Sequence, residues 1–307
     1  MDRLSAAAVP SPMAGTSTAA SPAPPAVIHV DLDGAAHIFR LHGWTWRGEL
    51  DMAYTTGVRH ALDVFDDFEI RATFFAIAED LDDPRKTEML REIVRRGHEI
   101  ASHSATHALL TELDTAGKRR EIRESRSRLE ERLDVAVAGF RAPCFSIDAE
   151  TLDIAADCGY AWDSSIRAGR EVPGLARAAT AAAQPWQLAD RDFFELPLPG
   201  YRPLPFPFHP SYSLVLGYRY FTSGLARHQR SGAPLVLLFH LIDFADPLPA
   251  ALLRGARQRI FTLSHTTGER KRAACRRMLS RVREAYRFAD TPGLLAEARR
   301  QGMRDVR

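Results

Sequence analysis

The sequence has little of several features that would define whole classes of protein. It contains 3 cysteines, Cys144, Cys158 and Cys275, in 307 residues. They are too few and too irregularly spaced for a disulfide framework or a cysteine-bound metal. No run approaches the about 18 apolar residues that a membrane-spanning helix requires. The formal net charge is only +2, which gives no reason to expect nucleic acid binding by the whole chain.

The composition indicates a soluble globular protein with a large core. Hydrophobic residues make up 45% of the chain and charged residues 26%, which excludes a mainly disordered or collagen-like chain. Residues 1–26 are rich in Ala, Ser and Pro, and we expect a disordered tail there. Ser and Pro interrupt every candidate secretion signal, so we expect a cytoplasmic protein, with non-standard export as the alternative.

From residue 27 onward, short apolar runs alternate with segments of helical periodicity. The predicted strands are Val27–Val30, Ala72–Ala78, Glu99–Ser102, Val135–Phe140, Tyr160–Trp162, Phe193–Leu198 and Leu235–Phe239. The predicted helices are Thr56–Phe68, Thr87–Arg96, Thr115–Leu133, Ala149–Cys158, Ser213–Arg230 and Glu269–Arg307. This repetition predicts an α/β fold around a parallel sheet, with one domain at 27–295 and a basic tail at 296–307.

Polar residues collect where the apolar runs end. They are Asp31, Asp33, His103, His107, Arg141, Asp163 and His240. In barrels built from βα units, the carboxyl ends of the strands form the edge that carries the active site. Because these residues come from five different runs, we expect them to meet at that edge.

Two of these groups together indicate a catalytic metal. Asp31 and Asp33 would share one face of a strand, where two carboxylates repel unless a cation separates them or one is protonated; the alternative is a strand-end turn closed by Gly34. If a helix begins at His103, His107 lies one turn further on the same side; the alternative is a pair of loop histidines. Two imidazoles and one carboxylate leave coordination positions open for water and substrate.

The remaining candidates carry weaker signals on their own. Arg141 could orient a carboxylate or be an ordinary arginine at the barrel rim. Cys144 is an unfavourable nucleophile because no base is assigned to it. His240 could be an acid–base group or a buried core histidine, and Asp163 is expected to orient another group.

Five sequence segments resemble the polysaccharide deacetylases of carbohydrate esterase family 4. They are VDLDG, SHSATH, RAPCF, GYAWDSS and LLFH, in the order of the family's five motifs. The longer phrase RGHEIASHSATH is similar to the branch linked to bacterial exopolysaccharide gene clusters. The resemblance implies a distorted (β/α)7 barrel and hydrolysis of an N-acetyl group, usually on a hexosamine.

The resemblance also implies which residues hold a metal. By motif position the ligands are Asp33, His103 and His107. Zinc is the first choice for one carboxylate and two imidazoles, with cobalt, manganese and nickel as alternatives.

The same resemblance assigns the acid–base roles. Asp31 would be the general base, held by Arg141, and the backbone N–H of Cys144 would help to bind the oxyanion. His240 would be the general acid, and Asp163 would tune the pKa of that acid. The order Trp-Asp in the fourth motif departs from the usual Asp-Trp.

Three functions follow as hypotheses. The first is an N-deacetylase that acts on an amino-sugar polysaccharide or its glycolipid precursor. The second is an amidase or deformylase of the same fold, because the spaced aspartates also occur in relatives that act on small amides or lipid-linked sugars. The third is a catalytically silent carbohydrate-binding relative, which the presence of all the motif residues disfavours.

Two regions are candidates for contact with the substrate. The aromatic side chains after the first motif are expected on a loop that could wall the cleft or simply pack: His37, His42, Trp44 and Trp46. In residues 251–307, arginines outnumber acidic residues, which suggests either a solvated helix face or contact with the inner face of an anionic membrane.

Overall fold

The computed structural model describes residues 23–200 and 208–300, together with the backbone of 305–306. The predicted tail lies outside the described residues as far as residue 22. The first strand begins at Pro25, two residues before the predicted start of the domain at residue 27. The strands are β1 Pro25–Asp31, β2 Thr73–Ala76, β3 Glu99–Ser102, β4 Gly139–Phe140, β5 Trp162–Asp163, β6 Trp186–Leu188, β7 Phe194–Glu195, β8 Leu235–His240, β9 Arg287–Phe288 and β10 Asp305–Val306.

Helices separate most of these strands. They are α1 Ala35–Leu41, α2 Met52–Asp66, α3 Pro84–Arg95, α4 Thr115–Leu133, α5 Ala149–Asp157, α6 Arg177–Ala181, α7 Pro210–Leu216, α8 Tyr218–Gln229, α9 Ala256–Phe261, α10 Gly268–Arg283 and α11 Thr291–Arg300. Short 3-10 turns occupy Ala78–Asp82, Leu110–Glu112, Pro143–Phe145, Leu241–Asp243 and Ala250–Leu252. Among the described residues, none of the helices has the length and apolarity of a bilayer-spanning segment.

The strands form one curled sheet in the order β10-β6-β7-β5-β4-β3-β2-β1-β8, with β9 paired to β1. The pairs are parallel except β6 with β7. Seven strands, β1 to β5 with β7 and β8, form the wall of a distorted (β/α)7 barrel. Within the described residues β7 and β8 do not pair, so the wall is open between them. The predicted fold is confirmed.

The strand sequences explain why both faces of this sheet are covered. In β1, Ile28 and Val30 join the core between strands and helices, whereas Val27 joins an inner core with Phe75 and Trp162. Parallel strands buried on both faces carry near-continuous apolar runs. The inside of the barrel is therefore largely apolar, with a buried polar network of His29, Thr73 and Thr291 as an exception, and the other polar side chains of interest lie where the strands end.

Helix α4 agrees with the prediction in its bounds and in its inward face. Ile122, Ser125, Leu129 and Leu133 are buried, as the helical spacing predicts. The side chain of Asp114 accepts a hydrogen bond from the backbone N–H of residue 117 and caps the helix.

Some boundaries differ from the prediction for local reasons. The predicted helix Ser213–Arg230 is two helices, because Gly217 has a φ of 93° that a helix cannot contain. The predicted helix Glu269–Arg307 is interrupted by β9, which pairs with β1. Helix α11 continues to Arg300, so the predicted boundary between domain and tail at residue 296 falls inside a helix.

Candidate active site

The strand register brings two of the predicted acid–base groups together. Asp31, the last residue of β1, pairs in register with His240, the last residue of β8. Side chains in register point to the same face of a sheet, and Asp31 Oδ2 lies 4.0 Å from His240 Nε2. His103 directly follows β3 and Arg141 directly follows β4, so both emerge at the same edge.

The second motif is a loop rather than the start of a helix. Ser104 and His107 have φ values of 69° and 64°, in the left-handed region that a helix cannot use. The Glu121 carboxylate of α4 accepts hydrogen bonds from two backbone N–H groups of this loop, at 3.0 and 2.9 Å. The possibility of a one-turn helical pair is therefore wrong. The loop still places the rings of His103 and His107 with their centroids 5.1 Å apart.

Asp33, His103 and His107 direct their ligand atoms toward a common point. Asp33 Oδ1 lies 3.3 Å from the Nε2 atom of each histidine, and the three atoms lie within 4.8 Å of one another. All three are buried and have no hydrogen-bond partner among the described residues. Because unsatisfied buried polar atoms are costly, this donor set fits a divalent cation, and its composition matches that of catalytic zinc sites.

The tautomer of His103 is set by its second nitrogen. His103 Nδ1 lies 2.8 Å from the backbone oxygen of Arg141. A carbonyl can only accept, so Nδ1 carries the proton, and neutral His103 presents a lone pair at Nε2 toward Asp33. This arrangement is typical of a metal-binding histidine.

In the metal-free cluster, the charges of the carboxylates and the imidazoles shift each other's pKa. Burial by itself would raise the pKa of Asp33, but His107 and His103 hold that pKa well below its ordinary value. Burial would likewise lower the pKa of His103, whereas the Asp31 and Asp33 carboxylates raise it above its ordinary value. In the absence of a metal, a proton on His103 is therefore favoured by the neighbouring carboxylates.

Arg141 is buried completely and contacts Asp31 directly. Its Nη1 donates to Asp31 Oδ1 at 2.7 Å, and its Nε and Nη2 donate to the backbone oxygen and hydroxyl of Ser164. The guanidinium carbon lies 3.9 Å from the centroid of the Phe75 ring. A single nitrogen reaches Asp31, so the contact is not the bidentate pair that an arginine can form with a carboxylate.

His29 was not among the predicted residues, yet it contacts Arg141. Arg141 Nη2 donates to His29 Nδ1 at 2.8 Å, so His29 Nε2 carries the proton and donates to the Thr291 hydroxyl at 3.1 Å. Burial and the charge of Arg141 hold the pKa of His29 well below its ordinary value. The period of two along β1 could have found it, because His29 and Asp31 share the inner face.

Two segments contact His240, namely helix α7 and the turn Leu241–Asp243. Its ring Nδ1 lies 3.0 Å from the Ser211 hydroxyl, and its backbone N–H donates to Asp243 at 2.9 Å. The ring of His209 lies 5.1 Å away between centroids, and burial, His240 and Arg167 keep the pKa of His209 well below its ordinary value. His209 belongs to the Pro-rich run Tyr201–Pro210, which the sequence suggests as a specificity loop. Ser211 was not predicted, because it comes from a separate segment without a motif.

Cys144 lies in the turn that follows Arg141. Its φ of 52° is left-handed, which fixes the direction of its peptide groups. Although the residue is exposed at the surface, desolvation by the surrounding protein and the charges of Asp33 and Asp31 raise the pKa of the Cys144 thiol to about 12. A thiolate nucleophile is therefore disfavoured at neutral pH, in agreement with the sequence-based interpretation.

Asp163 lies beneath the Arg141 turn rather than against His240. It accepts hydrogen bonds from the backbone N–H and hydroxyl of Ser165, at 2.9 and 2.8 Å. The Ser165 hydroxyl in turn accepts from the backbone N–H of Ala142 at 2.8 Å. Within the described residues, no hydrogen bond or ion pair joins Asp163 to His240. The structure thus connects Asp163 to the third motif.

The aromatic segment after the first motif lies partly on a helix. His37 is in α1, where its Nε2 lies 2.9 Å from Glu79 Oε1, so its predicted place on a loop is wrong. Trp44 and Trp46 pack at the edge of a small core around Phe39. Together with His37 they line a cavity of about 800 Å³. The ring of His37 lies 5.7 Å from that of His107 between centroids, so the cavity adjoins the candidate metal ligands.

A family model matches part of the chain. Residues 49–162 match the model described as polysaccharide deacetylase. This segment contains SHSATH and RAPCF, and the resemblance that the motifs indicate is confirmed at this level. The exopolysaccharide branch stays a prediction.

Solved structures share the fold along nearly the whole chain. A protein from Mycobacterium smegmatis, described provisionally as a polysaccharide deacetylase, is 21% identical with a TM-score of 0.64, over 94% of this chain and 97% of that one. An allantoinase is 16% identical with a TM-score of 0.61, over 94% and 98%. A further provisional deacetylase, from Pseudomonas aeruginosa, is 15% identical with a TM-score of 0.60, over 90% and 91%.

Proposed function

We propose that this chain is a metal-dependent hydrolase that removes N-acetyl groups from an amino-sugar polysaccharide or its glycolipid precursor. The observation that carries the proposal is the set of three buried, unpartnered ligand atoms of Asp33, His103 and His107. They lie beside a carboxylate held by arginine and an imidazole in register with it. A divalent ion bound there, with zinc as the first choice, supplies a Lewis acid and lowers the pKa of water.

Asp31 is the proposed general base. Its Oδ1 accepts from Arg141, and its Oδ2 lies 3.9 Å from His103 Nε2 and 4.0 Å from His240 Nε2. One oxygen is therefore fixed, while the other faces the ligand cluster and is placed to accept a proton from a water there. Arg141 acts as a positioning residue that keeps this carboxylate oriented.

His240 is the proposed general acid. Amide hydrolysis requires a proton for the departing amine, and His240 Nε2 points toward Asp31 while Ser211 contacts Nδ1. We propose that the Cys144 N–H donates to the oxyanion. Asp163 would hold the turn that carries this N–H through Ser165, instead of tuning His240 as the motif order implies.

The decisive experiment combines elemental analysis with acetate release. We expect about one divalent ion per chain and release of acetate from N-acetylated sugar oligomers, lost on chelation and restored by zinc. Protein that binds no metal under any of these conditions would contradict the proposal.

The spaced pair Asp31 and Asp33 favours a second candidate, an amidase or deformylase for a small molecule or a lipid-linked sugar. The allantoinase whose fold this chain shares is named for a small-molecule reaction. Metal-loaded protein that releases formate or ammonia from small amides, and no acetate from sugars, would select this candidate. We further propose a cytoplasmic location with peripheral contact to the membrane through the basic C-terminal region.

A further inference from the structure

An exposed apolar patch lies where helix α9 meets the segment after α1. Ile260 and Phe261 end α9 and are 46% and 45% exposed. The Phe261 ring contacts those of His42 and Trp44, with centroids 4.4 and 6.0 Å apart. Leu41, beside His42 in the chain, is 45% exposed. We name these five residues the α9 patch.

The arginines around this patch have no acidic neighbours in their segment. Residues 251–268 contain Arg254, Arg257 and Arg259 but no aspartate or glutamate. The Arg257 guanidinium lies 5.7 Å from the Trp44 ring and 5.6 Å from the Phe261 ring. In the described parts of the chain, none of the three forms an ion pair with a carboxylate.

Some arginines elsewhere in the C-terminal region are neutralised by carboxylates. Arg272, Arg276 and Arg299 pair with Asp246, Asp67 and Asp192 at 2.7 to 3.0 Å. Such pairs lower the local positive potential that an anionic surface would meet. The three arginines in residues 251–268, by contrast, lie beside exposed apolar side chains without such a partner among the described residues.

The α9 patch also adjoins the candidate active site. A cavity of about 380 Å³ is lined by Leu41 of the patch and by the metal ligand His107, among others. The neighbouring cavity of about 800 Å³ is lined by Trp44 of the patch and by His37. A surface that covered the patch would thus lie at the rim of both openings.

We propose that the α9 patch binds anionic phospholipid bilayers. Ile260 and Phe261 enter the headgroup region, while Arg254, Arg257 and Arg259 contact lipid phosphates. Exposed aliphatic and aromatic side chains beside unpaired arginines are what interfacial binding requires. A second copy of the chain fits less well, because a symmetric contact would bring the same three arginines face to face. The inference specifies the peripheral membrane contact of the proposed function, and the presentation of a lipid-linked sugar by the bilayer rests on that function; vesicle binding is measured independently of hydrolysis.

Sedimentation with lipid vesicles tests the proposal on the full chain. We expect binding to phosphatidylcholine vesicles that contain about 30% phosphatidylglycerol, little binding to phosphatidylcholine alone, and weaker binding at high salt. The variant R257E/R259E should lower the partition coefficient by at least about tenfold. The variant I260S/F261S should lower it by about tenfold through the loss of buried apolar area.

A matched control is available on helix α7. Val215 and Leu216 are 46% and 44% exposed, so V215S/L216S removes similar apolar side chains outside the patch. This control should bind as the wild type does, and circular dichroism should show that all three variants are folded. Equal loss in V215S/L216S and I260S/F261S, or no loss in either patch variant, would overturn the proposal.

Two further measurements separate the alternatives. If I260S/F261S turns a dimer into a monomer in sedimentation velocity without a change in vesicle binding, the patch is a contact between copies and the proposal is wrong. Hydrolysis is measured on the wild type with a soluble N-acetylated oligosaccharide. Vesicle binding without hydrolysis would contradict the proposed function and support the α9 patch as a membrane-binding surface. Hydrolysis without vesicle binding would support the proposed function and contradict the membrane-binding surface.

Discussion

Two buried polar clusters lie side by side in this protein, and they balance their charges in different ways. In the proposed metal triad, Asp33 Oδ1 faces the Nε2 atoms of His103 and His107, and none of the three atoms has a hydrogen-bond partner among the described residues. In the neighbouring lysine cluster, Lys86 Nζ lies 2.5 Å from Asp80 Oδ1 and 3.7 Å from an oxygen of Asp51.

The comparison shows why acidity alone does not indicate a metal site. The lysine cluster holds an ammonium group beside its two carboxylates, and this group compensates part of their charge. The triad has only imidazoles, which compensate a carboxylate when protonated and bind a metal when neutral. A buried carboxylate surrounded by imidazoles is therefore the arrangement that can exchange protons for a metal ion.

Asp33→Ala should have the largest effect on the triad. Loss of the only carboxylate ligand should abolish metal retention and lower turnover by at least about a thousandfold, more than the about 10–100-fold typical of partners outside the ligand set. Elemental analysis and acetate release measure the two losses. The matched control is Asp82→Ala, because the Asp82 side chain is 73% exposed. Normal metal binding by Asp33→Ala would show that the ligand assignment is wrong.

Asp31→Asn should separate catalysis from metal binding. The amide keeps the shape of the side chain but cannot accept the proton of water, so we expect full metal content with turnover lower by about 10²–10⁴-fold. Metal analysis and initial rates on the same preparation measure this. Loss of metal together with activity would move Asp31 into the ligand set.

Lys86→Met should affect stability instead of metal. It leaves Asp80 buried without its ammonium partner, and we expect the free energy of unfolding to fall by about 3–5 kcal/mol, with unchanged metal content per folded chain. Urea denaturation measures the loss. The double variant Lys86→Met with Asp80→Asn should recover part of it, and a failure to recover would mean that the ion pair is not the cause.

The pH dependence of metal affinity gives the smallest expected effect. Because the carboxylates raise the pKa of His103 in the metal-free protein, protons compete with the metal below a pH somewhat above the ordinary imidazole value. Affinity should be highest above that pH and should fall by up to about tenfold per pH unit for each proton displaced as the pH decreases. Chelator competition between about pH 5.5 and 8 tests this. A flat profile would indicate that His103 is not a ligand.

The sequence predicted the site through position more than through shape. Asp31, Asp33, His103 and His240 follow apolar runs, and parallel strands necessarily bring their carboxyl ends to one edge. The shape of the second motif was beyond the sequence, because Ser104 and His107 adopt left-handed backbone angles that tertiary contacts with Glu121 stabilise. Local backbone propensity does not predict left-handed angles that contacts distant in sequence impose.

The residues that were missed lie in places where a sequence gives little guidance. In the sequence, His29 is one residue of a buried strand, and only its contact with Arg141 in the structure indicates a role in the site. Ser211 reaches His240 from a different segment of the chain, so no spacing rule connects them. The fold was easier, because the alternation of strand and helix patterns predicts a parallel sheet covered on both faces, and the resemblance of the motifs implied that this sheet forms a barrel.

The contact between His29 and Thr291 has a practical consequence for handling the protein. Thr291 begins helix α11, and its hydroxyl is joined to that of Thr73 at 2.7 Å as well as to the His29 ring. An expression boundary drawn before this threonine would remove the acceptor that fixes the ring under Arg141. Shortened versions should therefore be cut after α11, and reporter fusions should be attached there rather than replace that helix.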